Sequence, residues 1–367
     1  MILQQLSRLS VQIFCLKFFL ETPFPVSIRF MFLGVRLSSS ANFRRAEEAF
    51  TSIVRAEILA RAGAIETSDL GGFESHILAV TKDGQDAILR AAHLTHRTLD
   101  QVAGELEWLR FLQEAGAPVC EVMQIDGHDC VAVDEFVVSL LVKAPGKIVE
   151  QADWQAPFFE RWGEAIGHCH ELSRQYQPMG KPRFHWDEDD NINFPLRIPK
   201  EQEAVLAVGA EEFEWLKKLP QNTEVYGLIH CDAHPGNFFV DDQGSLTLFD
   251  FDDCCYQWYA YDVATVIFSA VLQPWIGDTQ GDRIAEAQRF IPAFLSGYAR
   301  QSPMSALMLS DLHHFLKVRE LSLFGVFHTF MDVNNIDDWY GNKFMANRQK
   351  LIEAREPFLD IDFSQYG

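Results

Sequence analysis

The chain has no basic excess. Its 31 Lys and Arg stand against 52 Asp and Glu, a formal charge of −21, and so acidic a surface repels a phosphate backbone, which makes nucleic acid an unexpected partner. It also lacks any C-x-x-C spacing. The seven cysteines (Cys15, Cys120, Cys130, Cys169, Cys231, Cys254, Cys255) are odd in number and scattered, which suits neither a disulfide framework nor a zinc ribbon and fits a reducing, cytoplasmic setting. No apolar run approaches the roughly 20 residues that a membrane-spanning helix needs. The most apolar stretch, Val11 to Leu20, is ten residues long and broken by Lys17. No internal repeat is visible, and a 48% hydrophobic content excludes a disordered chain. What remains is a folded protein of 367 residues, long enough for about two domains.

Residues 1–40 differ in composition from the rest, with four basic side chains (Arg8, Lys17, Arg29, Arg36) and one acid, Glu21. Residues 1–42 therefore read as an N-terminal extension, either an organellar leader or a segment upstream of a true start at Met31. Beyond it, Ile53, Val54 and Ile58 recur at helical spacing up to Gly63. His76–Val80 and Gln85–Arg90 read as strands joined at Lys82-Asp83-Gly84, after a turn at Gly71-Gly72. Thr98 to Gln101 has the form of a capping box, opening a helix that carries Val102, Leu106, Leu109 and Leu112 toward Gly116. Val119–Ile125 and Val131–Val142 are β-rich runs separated by Asp126-Gly127. The remainder reads as helical (about 154–176, 200–218, 259–272, 283–300, 305–330) apart from one β-rich island at 225–251. The expected class is α+β: a small antiparallel-sheet lobe with one helix over residues 43–142, and a larger, mainly helical lobe over 143–367, with a ligand cleft between them.

The chemistry concentrates in Gly227-Leu228-Ile229-His230-Cys231-Asp232-Ala233-His234-Pro235-Gly236-Asn237 and, across a polar turn, Leu246 to Asp250. The apolar runs 238–240 and 246–249 flank Asp241-Asp242-Gln243-Gly244 and read as a hairpin. Pairing centred on the Gln243–Gly244 step sets Asn237 beside Asp250 at its open end. The Pro235-Gly236 turn folds Asp232 back toward the same place. An Asn carbonyl with a carboxylate is a hard oxygen pair suited to Mg²⁺ that also holds phosphate oxygens and water, leaving the second carboxylate to orient a hydroxyl nucleophile. A rival reading takes His230, Asp232 and His234 as ligands of a hydrolytic metal, although Pro235 and the lack of a further His cluster weigh against it.

His230-x-Asp232-x-x-x-x-Asn237, followed by Phe249-Asp250-Phe251-Asp252 and Tyr261-Asp262-Val263-Ala264, resembles the signature of the aminoglycoside phosphotransferase and choline kinase-like family, relatives of the protein kinases. The resemblance covers roughly residues 45–365. It implies a bilobal ATP-dependent kinase fold, with Asp232 as catalytic base, Asn237 and Asp250 as metal ligands, and His230 and Asp262 bracing the catalytic loop. A kinase also needs a strand cation paired with a helix glutamate to set the α- and β-phosphates. At 100° per residue Glu105 falls within the apolar stripe of its helix and Glu107 nearly opposite. A glutamate on that stripe needs a cation. Arg90, sharing a strand face with Ile88, is the natural partner, where protein kinases carry lysine. The glycine-rich loop is reduced to Gly71-Gly72, whose amides, with the Ser75 hydroxyl, would cover the phosphates.

For the acceptor, Trp186 and the acidic run behind it offer a cation-binding face, and Asp252 and Asp253 lie closer to the chemistry. The expected activity is ATP- and Mg²⁺-dependent phosphoryl transfer to a hydroxyl of a small, amine-bearing molecule such as an amino-sugar or amino-alcohol. A Ser/Thr protein kinase of the same superfamily, a nucleotide-binding pseudoenzyme and the metal hydrolase are the alternatives.

Overall fold

The computed structural model describes residues 41–366 except 73–74, 181, 303–305 and 337–338, so the extension assigned to residues 1–42 lies almost wholly outside the described residues. Two helices, α1 (Ala41–Ala49) and α2 (Ser52–Ala62), lead into strands β1 (Ile65–Gly71), β2 (Ser75–Lys82) and β3 (Gln85–His93). Helix α3 (Leu99–Glu114) follows, and then β4 (Val122–Met123), β5 (Cys130–Val133) and β6 (Phe136–Val142). These strands form one antiparallel sheet in the order β1-β2-β3-β6-β4, with β5 also on β6. The β2–β3 turn has Asp83 and Gly84 both at positive φ, 52° and 81°, the conformation of a two-residue hairpin turn. Thr98 and Gln101 close the expected capping box on α3. The run 131–142 is two strands, because Asp134 takes a left-handed conformation (φ 52°) and turns the chain. Strand β1 was not separately foreseen; its polar, mostly exposed sequence carries no alternating pattern.

The larger lobe contains α4 (Ala156–Ser173), α5 (Phe194–Arg197), α6 (Glu203–Leu216), β7 (Tyr226–Ile229), β8 (Phe238–Val240), β9 (Leu246–Leu248) and β10 (Cys255–Trp258). Helices α7 (Tyr259–Ala270), α8 (Gln280–Tyr298), α9 (Ala306–Ser310), α10 (Leu312–Phe330), α11 (Trp339–Met345) and α12 (Arg348–Glu353) complete it. Helices α4 and α8 touch backbone to backbone at Gly163 and Gly297. A Cβ on either would lie under 2 Å from a carbonyl oxygen of the other helix, Phe294 or Glu160. One apolar core, including Ile58, Leu78, Leu89, Phe136 and Leu140, fills the sheet beneath α2. A second runs from the underside of α3 (Leu106, Trp108, Leu112) through the helical lobe. No described helix is long and apolar enough to cross a membrane.

Two short antiparallel ladders, β7–β10 and β8–β9, carry the motif residues. The second departs from the expected register. Phe238 pairs with Leu248 and Val240 with Leu246, so the hairpin centres on Gln243, one half-step earlier than the Gln243–Gly244 bond. The cause is the loop: the Asp241 carboxylate accepts the N–H groups of Gln243 and Ser245, and Gly244 sits at φ 80°. An odd five-residue loop results, and Asn237 faces Phe249 (N–H to Asn237 carbonyl, 2.9 Å) instead of Asp250.

Candidate active site

Asp262, in the first turn of α7, organises the loop after β7. Its Oδ2 accepts the N–H of His230 at 2.9 Å and its Oδ1 that of Cys231 at 2.7 Å, while His170 on α4 reaches Oδ2 at 3.1 Å. Cys231 stands at φ 68°, a conformation that an L-residue holds only under such constraint. His230 does not point into the cleft. Its Nδ1 accepts the Asp232 N–H at 3.3 Å, so its protonated Nε2 donates to the Phe249 carbonyl at 3.0 Å, and its ring lies on Phe251. The histidine thus joins the Asp232 loop to the strand end that carries Asp250. His234 takes the Gly236 N–H on its Nδ1 at 2.9 Å and faces Asp232 Oδ2 with its Nε2 at 3.4 Å, but both ring nitrogens of His230 are engaged by backbone, so His230, Asp232 and His234 do not converge as metal ligands. Among the described residues no three His, Cys, Asp or Glu side chains form a ready metal cluster.

The Pro235-Gly236 turn brings Asn237 to Asp232. The Asn237 Nδ2 donates to the Asp232 carbonyl at 2.9 Å and to its Oδ2 at 3.3 Å, which leaves the Asn237 carbonyl oxygen to face outward. Asp250 follows Phe249, the residue that faces Asn237, and adopts a left-handed conformation, φ 64°. Asp250 is exposed, and the charges of Asp252, Asp232 and Asp253 push its carboxyl above the ordinary carboxylate range, against the pull of Arg90. Asp232 goes the other way. Burial alone would raise it, but His234 and Arg319 hold it well below the ordinary carboxylate range. Two carboxylates in one cleft are thus driven apart, one kept anionic and one in need of positive charge. Asn237 and Asp250, both oxygen donors, fit a hard divalent cation, which would relieve that need.

Above them, Arg90 on β3 donates to Glu105 Oε2 at 2.6 Å, with both side chains buried, as the helical period of α3 requires. Arg90 also lies 3.3 Å from Asp252. Gly71 and Gly72 form a turn at positive φ (77° and 146°), where a Cβ on Gly72 would strike the Ser75 carbonyl. Ser75 itself begins β2, opposite Ala92.

The expected acceptor groups are not where their residue types placed them. Trp186 is buried in a 3-10 turn against Phe213 and Trp258 and offers no face to a ligand. Asp252 is taken up by His96 (2.7 Å), Arg97 (3.1 Å) and Arg90, and Asp253 by Arg97 (2.9 Å), so both serve the junction between the lobes. Sequence reasoning missed the cations around these acids. Arg183 donates to the carbonyls of Cys254, Asp252 and Gln101 at 2.6 to 2.9 Å at the junction, and within the larger lobe Arg319 on α10 pairs with Asp232. A charged residue within the apolar pattern of 312–330 was the available signal.

A model of the phosphotransferase enzyme family matches residues 67–300. The amicoumacin kinase of Bacillus subtilis (strain 168) is 30% identical over 304 residues, covering 80% of this chain and 89% of that protein. A solved structure of an amicoumacin kinase in complex with AMP-PNP, Ca²⁺ and Ami aligns with a TM-score of 0.81 at 26% identity, over 88% of this chain and 99% of that one. A microcompartment-associated aminopropanol kinase shares the fold, with a TM-score of 0.64 at 22% identity over 83% and 97%. The bilobal kinase-like fold and the family resemblance are both upheld: this chain belongs to the phosphotransferase enzyme family and is a kinase.

Proposed function

We propose that the protein transfers the γ-phosphoryl group of ATP to a hydroxyl of a small, amine-bearing molecule, using Mg²⁺ and Asp232 as the base. The observation that carries this is the geometry of the loop: Asp262 holds the His230 and Cys231 N–H groups, Asn237 Nδ2 holds Asp232, and Arg319 pairs with the Asp232 carboxylate. Asn237 and Asp250 would hold the metal. When bound, Mg²⁺ neutralises charge on the phosphate oxygens. Residues 43–142 act as the nucleotide lobe, in which Arg90, fixed by Glu105, meets the phosphates and the Gly71-Gly72 turn and Ser75 cover them. Residues 143–367 act as the catalytic and acceptor lobe, in which Asp232 orients the hydroxyl and accepts its proton while His230 and Asp262 hold the loop still. An amicoumacin kinase and an aminopropanol kinase among the relatives support an amino-alcohol or amine-bearing antibiotic as acceptor.

The test is to incubate the purified protein and its Asp232→Asn variant with Mg-ATP and a fractionated bacterial metabolite extract, and to search for a species that gains one phosphoryl group. A product made by the parent alone supports the reading. Label on added protein instead would mark a protein kinase, and ATP binding with no product a pseudoenzyme. Asp232→Asn should leave nucleotide affinity nearly unchanged while turnover falls by about 10³-fold or more, whereas Asp250→Ala should weaken Mg-ATP binding itself. Equal loss of binding in the two variants would overturn the roles.

A further inference from the structure

Five aspartates, Asp189, Asp232, Asp250, Asp252 and Asp253, lie close enough to perturb one another's ionisation. Their cations are shared out unequally. Asp252 and Asp253 are met from the small lobe by Arg90, His96 and Arg97. Asp232 is met from the far side by Arg319, which arrives on α10, 87 residues along the chain. The contact is one-sided: Arg319 Nη2 donates to Oδ1 of Asp232 in a tight charge-assisted bond. Among the described residues, Oδ2 faces Asn237 Nδ2 at 3.3 Å and His234 Nε2 at 3.4 Å. A carboxylate turns easily about its last torsion. Beside a metal held by Asn237 and Asp250, an untethered Asp232 would turn toward the metal.

The geometry points to Arg319 as a positioning residue for phosphoryl transfer: by fixing Oδ1 it keeps the Asp232 carboxylate off the metal and presents Oδ2 to the acceptor hydroxyl. This rests on the function proposed above. In the step it serves, the acceptor oxygen bonds to the γ-phosphorus as the bond from phosphorus to the β–γ bridging oxygen breaks. ADP leaves, and the hydroxyl proton passes to Oδ2. Tyr261 and Tyr340 also lie near the Arg319 guanidinium.

The experiment compares Arg319→Met and Arg319→Lys, each alone and combined with Asp232→Asn. It measures ADP release across a range of Mg-ATP concentrations, with a fixed amount of bacterial metabolite extract as the acceptor pool, and the rise in melting temperature on adding Mg-ATP. Arg319→Met should lower kcat about a hundredfold while leaving KM for ATP within about twofold. Arg319→Lys should recover at least about tenfold of that loss, since one charged donor suffices to hold one oxygen. In the Asp232→Asn background, Arg319→Met should cost less than about threefold more, because a residue acting through Asp232 has nothing left to act on. A loss in that background equal to the loss in the parent would overturn the inference, as would an Arg319→Met enzyme with kcat within about threefold of the parent. If Asp232→Asn itself turns over like the parent, the function assigned to Asp232 fails first, and Arg319 with it. The lysine variant answers the question if the methionine variant does not fold.

Discussion

Replacing Arg90 separates what holds the small lobe together from what binds nucleotide. Glu105 is fully buried, its Oε2 bonded to Arg90 and its Oε1 without a partner. Arg90→Met therefore strands a carboxylate beneath the sheet, and breaking a buried pair from one side costs about 3–5 kcal/mol. Near 2 °C per kcal/mol for a chain of this size, the melting temperature should fall by roughly 6–10 °C. Asp252 does not add to the cost, since His96 and Arg97 remain on it. Removing the stranded charge as well, in Arg90→Met with Glu105→Leu, replaces the pair by apolar volume and should restore stability to within about 2 kcal/mol of the parent. Nucleotide affinity should not return, because the group proposed to meet the phosphates is gone. Thermal denaturation followed by circular dichroism gives the first quantity, and calorimetric titration with Mg-ATP the second. A double variant as unstable as the single one would refute the stranded-charge argument, and a double variant that binds Mg-ATP like the parent would remove Arg90 from the nucleotide site.

Two further outcomes test other parts of the fold. Burial, and then the charge of Asp253, raise the Asp189 carboxyl from an ordinary 3.8 to about 7. The folded protein holds this proton more tightly than the unfolded chain, so the stability it contributes is complete below about pH 4 and lost as pH rises through about 7. Asp189→Asn should flatten that share of the curve and be more stable than the parent at pH 8 but not at pH 4; parallel urea-denaturation profiles for the two proteins would contradict this. At the crossing of α4 and α8, a Cβ on residue 297 would lie 1.8 Å from the Glu160 carbonyl oxygen. Gly297→Ala should thus force the helices apart at a cost of about 1–3 kcal/mol, read by thermal denaturation, with kcat unchanged well below the transition.

The small lobe was legible because its signals are local. The Asp83-Gly84 turn, the Thr98–Gln101 capping box and the 100° spacing that put Glu105 inward each depend on a few neighbouring residues. The site was legible only to within one residue. Counting from the centre of the turn placed Asp250 opposite Asn237, and the side-chain bonds of Asp241 moved that centre, which no apolar pattern reveals. The acceptor side was misread for a different reason: an aspartate looks free in sequence until its cation is found, and the cations for Asp252 and Asp253 lie about 156 residues away on another lobe. Trp186 failed likewise, since an aromatic beside acids is equally a core residue at the edge of a polar loop.

The β8–β9 hairpin is gripped on both outer edges. Lys147, just past the connector between the lobes, exchanges two backbone hydrogen bonds with Val240 (2.8 and 3.0 Å), while Pro118 and Cys120, just past α3, bond to Leu248 (2.8 and 2.9 Å). The ribbon that ends in Asn237 and Asp250 is thus the axle on which the two halves of the molecule meet. The bonds on its two edges hold Asn237 and Asp250, at the ends of the ribbon, in register with the segment that follows α3 and the one that follows the connector.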